Sequence, residues 1–493
     1  MSVDFDLSPP EVVSVPAGAV PVTTVWSRVR AALVGLLDLV LAGYGLALLL
    51  LLATGGGQIG PLSLTQPAKP VLVLALLIPL RLALPDRSRL FGAMLSHVLS
   101  RTRVMVAHRT GVSAALLDVT FALVVTRIGT FAIAFMANLL FSASRPRTFS
   151  LPFERSKFIE TFVAWDSGWY FDIARRGYYF DPDGQSSIAF FPLYPLLVRA
   201  CAWPFGGSER AVWIAGILVS CSAFAAAVVV LPRFAASVFG NREAARRTVL
   251  YLALFPFSVF FTRVYAEALL LLTSVLAVHA AWHGRWATAG VWGALATLAR
   301  PNGILIAVPL LLLALRTPDG LRTIAIRLAW LLPVPTALAG YCLYVYGLAG
   351  HPLAWLSSQA HWGYSLGHPP WEQLLKLTSR LIRYGPYDYF FVSPLAPYRL
   401  LHGAAAFLFL AITPAVFARL GVALGSYVLA SLLVPLSGSA LEGIGRYAAV
   451  LFPVFMVLGG RCRSQRLHEM VLLGFALFLT FMVTLFVTQH PIY

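Results

Sequence analysis

The sequence is short of charge: Asp, Glu, Lys and Arg make up 12% of its 493 residues, about half the roughly 25% found in soluble domains. No soluble core can use the 59% of hydrophobic residues that stand in their place. Lysine is nearly missing, with Lys69, Lys157 and Lys376 set against a total of 37 basic residues. That skew toward arginine fits a GC-rich bacterial genome and implies no mechanism. Cysteine is scarce as well. Cys201, Cys221, Cys342 and Cys462 show neither close pairing nor metal-ligand spacing, so they read as small core residues rather than as a disulfide framework or a metal set. There is no internal repeat, which counts against the repeat-built transporter folds. A secretory signal is not expected, because the first apolar run begins about thirty residues in, after an acidic, proline-bearing stretch. Residues 1–30 are therefore expected to form a disordered cytoplasmic tail.

What the chain does contain is a series of apolar runs of about 15 to 25 residues, the length a helix needs to cross a hydrocarbon core of about 30 Å. They fall at 31–53, 71–85, 112–141, 209–231, 248–262, 265–282, 286–299, 303–315, 328–348, 401–418, 420–437, 447–460 and 469–488. The expected fold is all-α, a polytopic transmembrane helical bundle of about 11–14 spans. The shorter runs between 248 and 315 are expected as broken or re-entrant helices. The first 110 residues, with two spans and a basic cytoplasmic segment, precede a catalytic domain over 111–493.

The formal net charge of +17 would suggest nucleic acid in a soluble protein, but here it maps onto topology and nucleic-acid binding is not expected. Arginine clusters such as Arg242, Arg246 and Arg247, or Arg461, Arg463 and Arg466, sit between apolar runs, as cytoplasmic loops do under the positive-inside rule. The opposite side receives two long aromatic-rich loops, 142–208 and 349–400. The expectation is a multi-pass plasma-membrane protein with a cytoplasmic N-terminus and extracytoplasmic chemistry. Within the spans, Asp38, Asp118 and Arg127 carry charge at a cost of roughly 2.5–3.5 kcal/mol each, and pairing across helices is the economical expectation.

The first long loop reads Ala164-Trp165-Asp166-Ser167-Gly168-Trp169-Tyr170-Phe171-Asp172-Ile173-Ala174-Arg175-Arg176-Gly177-Tyr178, and later Phe190-Phe191-Pro192-Leu193-Tyr194-Pro195. Asp166 stands where a helix begins, so one reading is an N-cap. The other is a general base that takes a proton from a sugar hydroxyl during glycosyl transfer. Trp165, Trp169 and Tyr170 suit that second task, since their faces stack on sugar rings and exclude water. Asp172 reads instead as a partner of Arg175 or Arg176 at helical spacing. In the second loop, His361 and Trp362 belong to a run alternating histidine with aromatics and are expected to bind an acceptor. The histidine gaps are unspecific for a metal, and no metal or cofactor is expected.

Two further segments carry pattern: Phe261-Thr262-Arg263-Val264-Tyr265-Ala266-Glu267, and Ala296-Thr297-Leu298-Ala299-Arg300-Pro301-Asn302-Gly303. Together with the Trp-Asp-Ser loop, and with a weaker likeness at Gly445-Arg446-Tyr447, the chain resembles the PIG-V mannosyltransferases of the GT-C superfamily. The resemblance implies a polyprenyl-phosphate-mannose donor, a glycolipid or glycan acceptor, and inverting transfer on the non-cytoplasmic face, with Asn302 among the substrate-binding residues. Arginine binds a leaving phosphate bidentately without risk of deprotonation. Arg300, Arg446 and Arg263, at helix ends where the positive-inside tendency disfavours them, are the donor-phosphate candidates, with Glu267 as an orienting or sugar-binding carboxylate. Local pairing of Arg263 with Glu267 and of Arg446 with Glu442 is the plainer alternative. A different lipid-linked sugar, arabinose or glucose, is the nearest rival function. A membrane lipid or sugar transporter is the more distant one.

Overall fold

The structure is a computed structural model that describes residues 114–145, 157–316, 319–365, 367–461 and 464–492, together with 37–38, 40–41, 43–44, 57–59, 62–64 and 77. The tail over 1–30, most of the expected spans 31–53 and 71–85, and the side chain of Asp118 lie outside these residues. The chain divides into two compact units, Met1–Arg101 and Thr102–Tyr493. In the first, Gly57–Ile59 (β1) pairs antiparallel with Leu62–Leu64 (β2), a hairpin that apolar patterning does not announce. Asp38 is buried there.

The second unit is helical and begins with α1 (Ala114–Leu140). Two short helices in the first long loop, α2 (Ser167–Arg176) and α3 (Leu193–Ala202), lead to α4 (Glu209–Phe239) and α5 (Arg242–Leu254). The boundaries of α4 and α5 come from capping chemistry. The Ala211 N–H donates to the Ser208 hydroxyl at 3.3 Å, Gly240 closes α4 in the left-handed region, and the Asn241 side chain accepts from the first amides of α5. The helix then stops because Phe255 precedes a proline and turns extended. The chain continues as the 3-10 segment Pro256–Thr262, bent by 82° from α5, so the run expected at 248–262 is a broken one.

That break leaves carbonyls without intrahelical donors, and Arg127 of α1 answers them. Its guanidinium donates to the Ala253 carbonyl and, at 3.3 Å, to that of Ser258, and it lies 5.0 Å over the Phe224 ring. The expected pairing of this span charge is thus met by a helix C-terminus rather than by a carboxylate.

Next come α6 (Glu267–Trp282), α7 (Trp286–Ala299), a 3-10 turn Pro301–Ile306, α8 (Ala307–Ala314), α9 (Leu321–Leu331) and α10 (Pro333–Ala349). The remainder is α11 (Glu372–Val392), α12 (Ala396–Leu436), α13 (Ile444–Ala449), α14 (Phe452–Arg461) and α15 (Gln465–Val487). The runs expected at 401–418 and 420–437 lie in α12 as two helical stretches on either side of a break at Gly421, φ 81°. The core is the pair α6 and α7 wrapped by α4, α10 and the 256–262 segment. Close helix approach in such a bundle needs small residues. A Cβ on Gly303 would stand 1.9 Å from the Ala296 carbonyl oxygen, which explains why glycine comes after Asn302 and lets the chain fold back on α7.

Four described helices are long and apolar enough to cross a membrane: Glu209–Phe239, Leu321–Ala349, Ala396–Leu436 and Gln465–Val487. The bent pair over 242–262 makes a fifth if it counts as one span. Shorter apolar helices at 126–140, 267–282, 286–299, 301–314 and 452–461 fill the same positions as the expected runs. The chain is a multi-pass membrane protein.

Candidate active site

The site starts with a strained turn. Trp165 has φ 53°, a left-handed conformation that costs a non-glycine residue of order 1–2 kcal/mol, and it sets Asp166 at the head of α2. The Ala164 N–H donates to the Ser167 hydroxyl at 3.2 Å, which explains the serine after the aspartate. Tyr265 completes the fastening. Its hydroxyl donates to the Ala164 carbonyl at 2.9 Å and accepts from the Asp166 N–H at 3.3 Å. The sequence marks Tyr265 only as part of a Tyr-x-Glu pattern; that it holds a turn about a hundred residues away is not visible there.

The Asp166 side chain makes no N-cap hydrogen bond. Its Oδ2 meets Nη1 of Arg446 at 2.6 Å, and the same Nη1 lies 3.6 Å from Oε1 of Glu267. Glu267 also pairs with Arg300. Two carboxylates and two guanidinium groups, drawn from the first loop, the start of α6, the end of α7 and α13, therefore form one ion network. Arg446, Arg300 and Glu267 are buried, whereas the Asp166 side chain keeps 19% of its surface exposed. The reactive candidate is thus the member of the network open to a substrate. Aromatic rings line the guanidinium groups, with Arg446 over Phe260 and Tyr265 and Arg300 over Tyr447.

Charges taken out of water are expensive, and only pairing with good geometry offsets the loss. This network is incompletely satisfied. Oε2 of Glu267, Nε of Arg446 and, two residues after Arg300, Oδ1 of Asn302 are buried without a hydrogen-bond partner. Such orphans in a native interior mark a strained or ligand-seeking site. Beside the network, burial pushes the Tyr170 hydroxyl well above its ordinary range, so it stays protonated as a donor. Its ring stands edge-on to Tyr194, Phe190 and Tyr265.

The structure also joins the two long loops. Trp169 stacks on Phe190 at 5.6 Å and meets Trp362 edge-on at 5.3 Å, so the stacking residues chosen separately from each loop form one wall. His361 contacts the Gly184 carbonyl through Nδ1, and Gln185 donates to the His361 carbonyl at 3.3 Å. Trp165 packs at the edge of the main core.

Arg263 does not join the network. Its guanidinium lies over Phe162 and Phe486, and Phe486 packs against Phe260 and Tyr265, the rings under Arg446. An aromatic layer therefore separates Arg263 from the carboxylates. The local pairs are not formed either: Glu267 takes Arg300 and Arg446, and Glu442 takes Arg399 at 2.9 Å. Asp172 faces Arg176 at 4.0 Å, at the spacing expected for it.

Among solved structures, the oligosaccharyltransferase AglB of Archaeoglobus fulgidus in complex with an inhibitory peptide and a dolichol-phosphate aligns at TM-score 0.40 and 14% identity, over 74% of this chain and 56% of that one. The apo form aligns at 0.40 and 13%, with the same coverage. A curated relative, GPI mannosyltransferase 2 of Yarrowia lipolytica, is 27% identical over 162 residues, 33% of this chain and 43% of the relative. The chain thus matches about half the length of each of these proteins. Residues 116–315 match the family described as Mannosyltransferase (PIG-V). That matched segment carries Asp166, Tyr265, Glu267 and Arg300, and it is similar to the PIG-V mannosyltransferases.

Proposed function

We propose that the chain is an integral membrane mannosyltransferase of GT-C type that moves mannose from a polyprenyl-phosphate donor to a hydroxyl of a glycolipid or glycan on the non-cytoplasmic face of the plasma membrane. The observation that carries this is the partly exposed Asp166 carboxylate, latched by Arg446 in an aromatic pocket within the family-matched segment. In the reaction, an acceptor hydroxyl attacks the anomeric carbon while its proton passes to Asp166. The bond from that carbon to the phosphate oxygen breaks, and the electron pair leaves with the phosphate. Single displacement inverts the anomeric configuration, as one carboxylate on the acceptor face allows.

Arg446 and Arg300 are the phosphate contacts in this reading. Arg446 has two carboxylate partners and an unbonded Nε, so an arriving phosphate competes for the guanidinium that now occupies Asp166. Donor binding then frees the base only when there is sugar to transfer. Glu267 retains Arg300 throughout. Trp169, Tyr170 and Trp362 supply the stacking wall, with the exposed His361 beside Trp362 and the unbonded Oδ1 of Asn302 left for a substrate hydroxyl.

The test is transfer from radiolabelled polyprenyl-phosphate-mannose in membranes containing wild-type protein or Asp166→Asn. Loss of a general base typically costs about 100- to 10,000-fold, and a drop of that size is expected. Activity of the variant near wild type would remove Asp166 from the mechanism. Transfer of arabinose or glucose but not mannose would keep the site and change the donor.

A further inference from the structure

Away from the ion network, the second long loop carries a cavity of about 220 Å³ between α11, the start of α12 and residues 439–441. Its wall includes Gln373, Lys376, Arg380, Tyr389, Arg399 and Ser439. None of these residues contributes to the network around Asp166. Three of the six are cations. Lys376 is held by Glu372, and Arg399 by Glu442 at 2.9 Å, while Arg380 has no carboxylate partner among the described residues. Three positive charges face two negative ones, leaving a surplus of one. Gln373 and Tyr389 are 9% and 1% exposed, so an amide and a phenol stand in fixed positions beside the cations.

The rest of α11 indicates what kind of ligand this is. The helix exposes Ile382, Tyr387 and Phe391, at 80%, 75% and 74% of their surface, and its helical geometry breaks at Gly385. Exposed aromatics beside arginines are the composition of a membrane interface, where rings sit at the headgroup level. A basic cavity at that level meets lipid phosphates before it meets anything else. At about 30 Å³ per water, the cavity has room for on the order of seven waters, enough for a phosphate and part of its alcohol. The cavity wall also leads toward the catalytic residues. Ser439–Leu441 run into Glu442, whose carbonyl accepts from the Tyr364 hydroxyl at 3.4 Å, and then to Arg446 on Asp166.

We propose that this cavity binds the phosphate of an anionic lipid headgroup; on the transferase reading above, it is the seat of a lipid-borne acceptor, which it holds by its phosphate while the sugar end reaches Asp166. Arginine and lysine recognise the phosphate as a fork and a point charge, and the apolar face of α11 lies against the acyl chains.

The test uses the full chain in neutral detergent, titrated with dihexanoyl-phosphatidylglycerol and followed calorimetrically, with dihexanoyl-phosphatidylcholine and inorganic phosphate in parallel. Saturable binding of the anionic lipid is expected, weakened at least tenfold in Arg380→Gln and largely restored in Arg380→Lys, with no binding of the zwitterionic lipid. Arg380 is exposed and carries no ion pair among the described residues, so an unchanged melting temperature shows that the variant is folded. Equal affinity in Arg380→Gln overturns the site, and inorganic phosphate binding as tightly as the lipid overturns the lipid source. Because the readout is binding, a chain that transfers no mannose leaves the lipid site standing and removes only its role as an acceptor seat, and a failed titration leaves the Asp166 reading standing.

Discussion

Trp165 shows how one residue's strain is maintained from far away. Local bonds between Ala164 and Ser167 close the turn around its left-handed backbone, and the Tyr265 hydroxyl, bonded on both sides of it, ties that turn to a distant segment. Tyr265→Phe keeps the ring contacts with Phe260 and Phe486 and removes only that hydroxyl. The Ala164 carbonyl then keeps only the Ser167 N–H, the Asp166 N–H loses its acceptor at a cost of about 1–3 kcal/mol, and the carboxylate drifts from its working position. Misplacement on the scale of about 1 Å costs about 100-fold, so kcat is expected to fall at least tenfold while KM for the donor changes less than twofold. A purely structural tyrosine would lower the melting temperature and leave kcat of the folded fraction intact. At this scale the sequence is legible where chemistry is local. Asp166 can be picked out because aromatics flank it. The partners of the arginines cannot, since helical spacing offers only the nearest acid, whereas burial selects Glu267 for Arg300 across 33 positions and Asp166 for Arg446 across 280.

Helix boundaries are the most legible elements, because each is written in apolar length and punctuation. The run expected at 286–299 is the helix Trp286–Ala299 itself, bounded by Arg285 and by Arg300-Pro301. The 82° turn after α5 is legible only as a break, since Pro256 ends a helix without stating the direction of the next segment. Arg127 fixes that direction by joining α1 to the carbonyls exposed there. Arg127→Met retains apolar length but leaves the Ala253 carbonyl with the Ser258 hydroxyl alone. Destabilisation of about 1–3 kcal/mol is expected, read as a lower midpoint in thermal unfolding of the purified protein. An unchanged midpoint would mean that the bend holds itself.

At the scale of the molecule, the orientation proposed for the bundle rests on where the arginines fall along the chain. It has a direct check in intact cells carrying a chain with Cys201, Cys221, Cys342 and Cys462 replaced by alanine. Pro182→Cys, at an exposed position of the first loop, is expected to react with a membrane-impermeant thiol reagent, and Arg242→Cys only after permeabilisation. The reverse pattern would turn the protein over. Assembly of the site from both halves of the unit has a consequence for biosynthesis. Arg446 lies 280 residues after Asp166, which at about 5–20 residues per second separates their emergence from the ribosome by roughly 15–60 s. A nascent chain stopped anywhere between the family-matched segment and α13 holds that whole segment in the membrane with its carboxylate unlatched. On the transferase reading, the translation of α13 therefore decides whether the membrane holds a latched site or an open one.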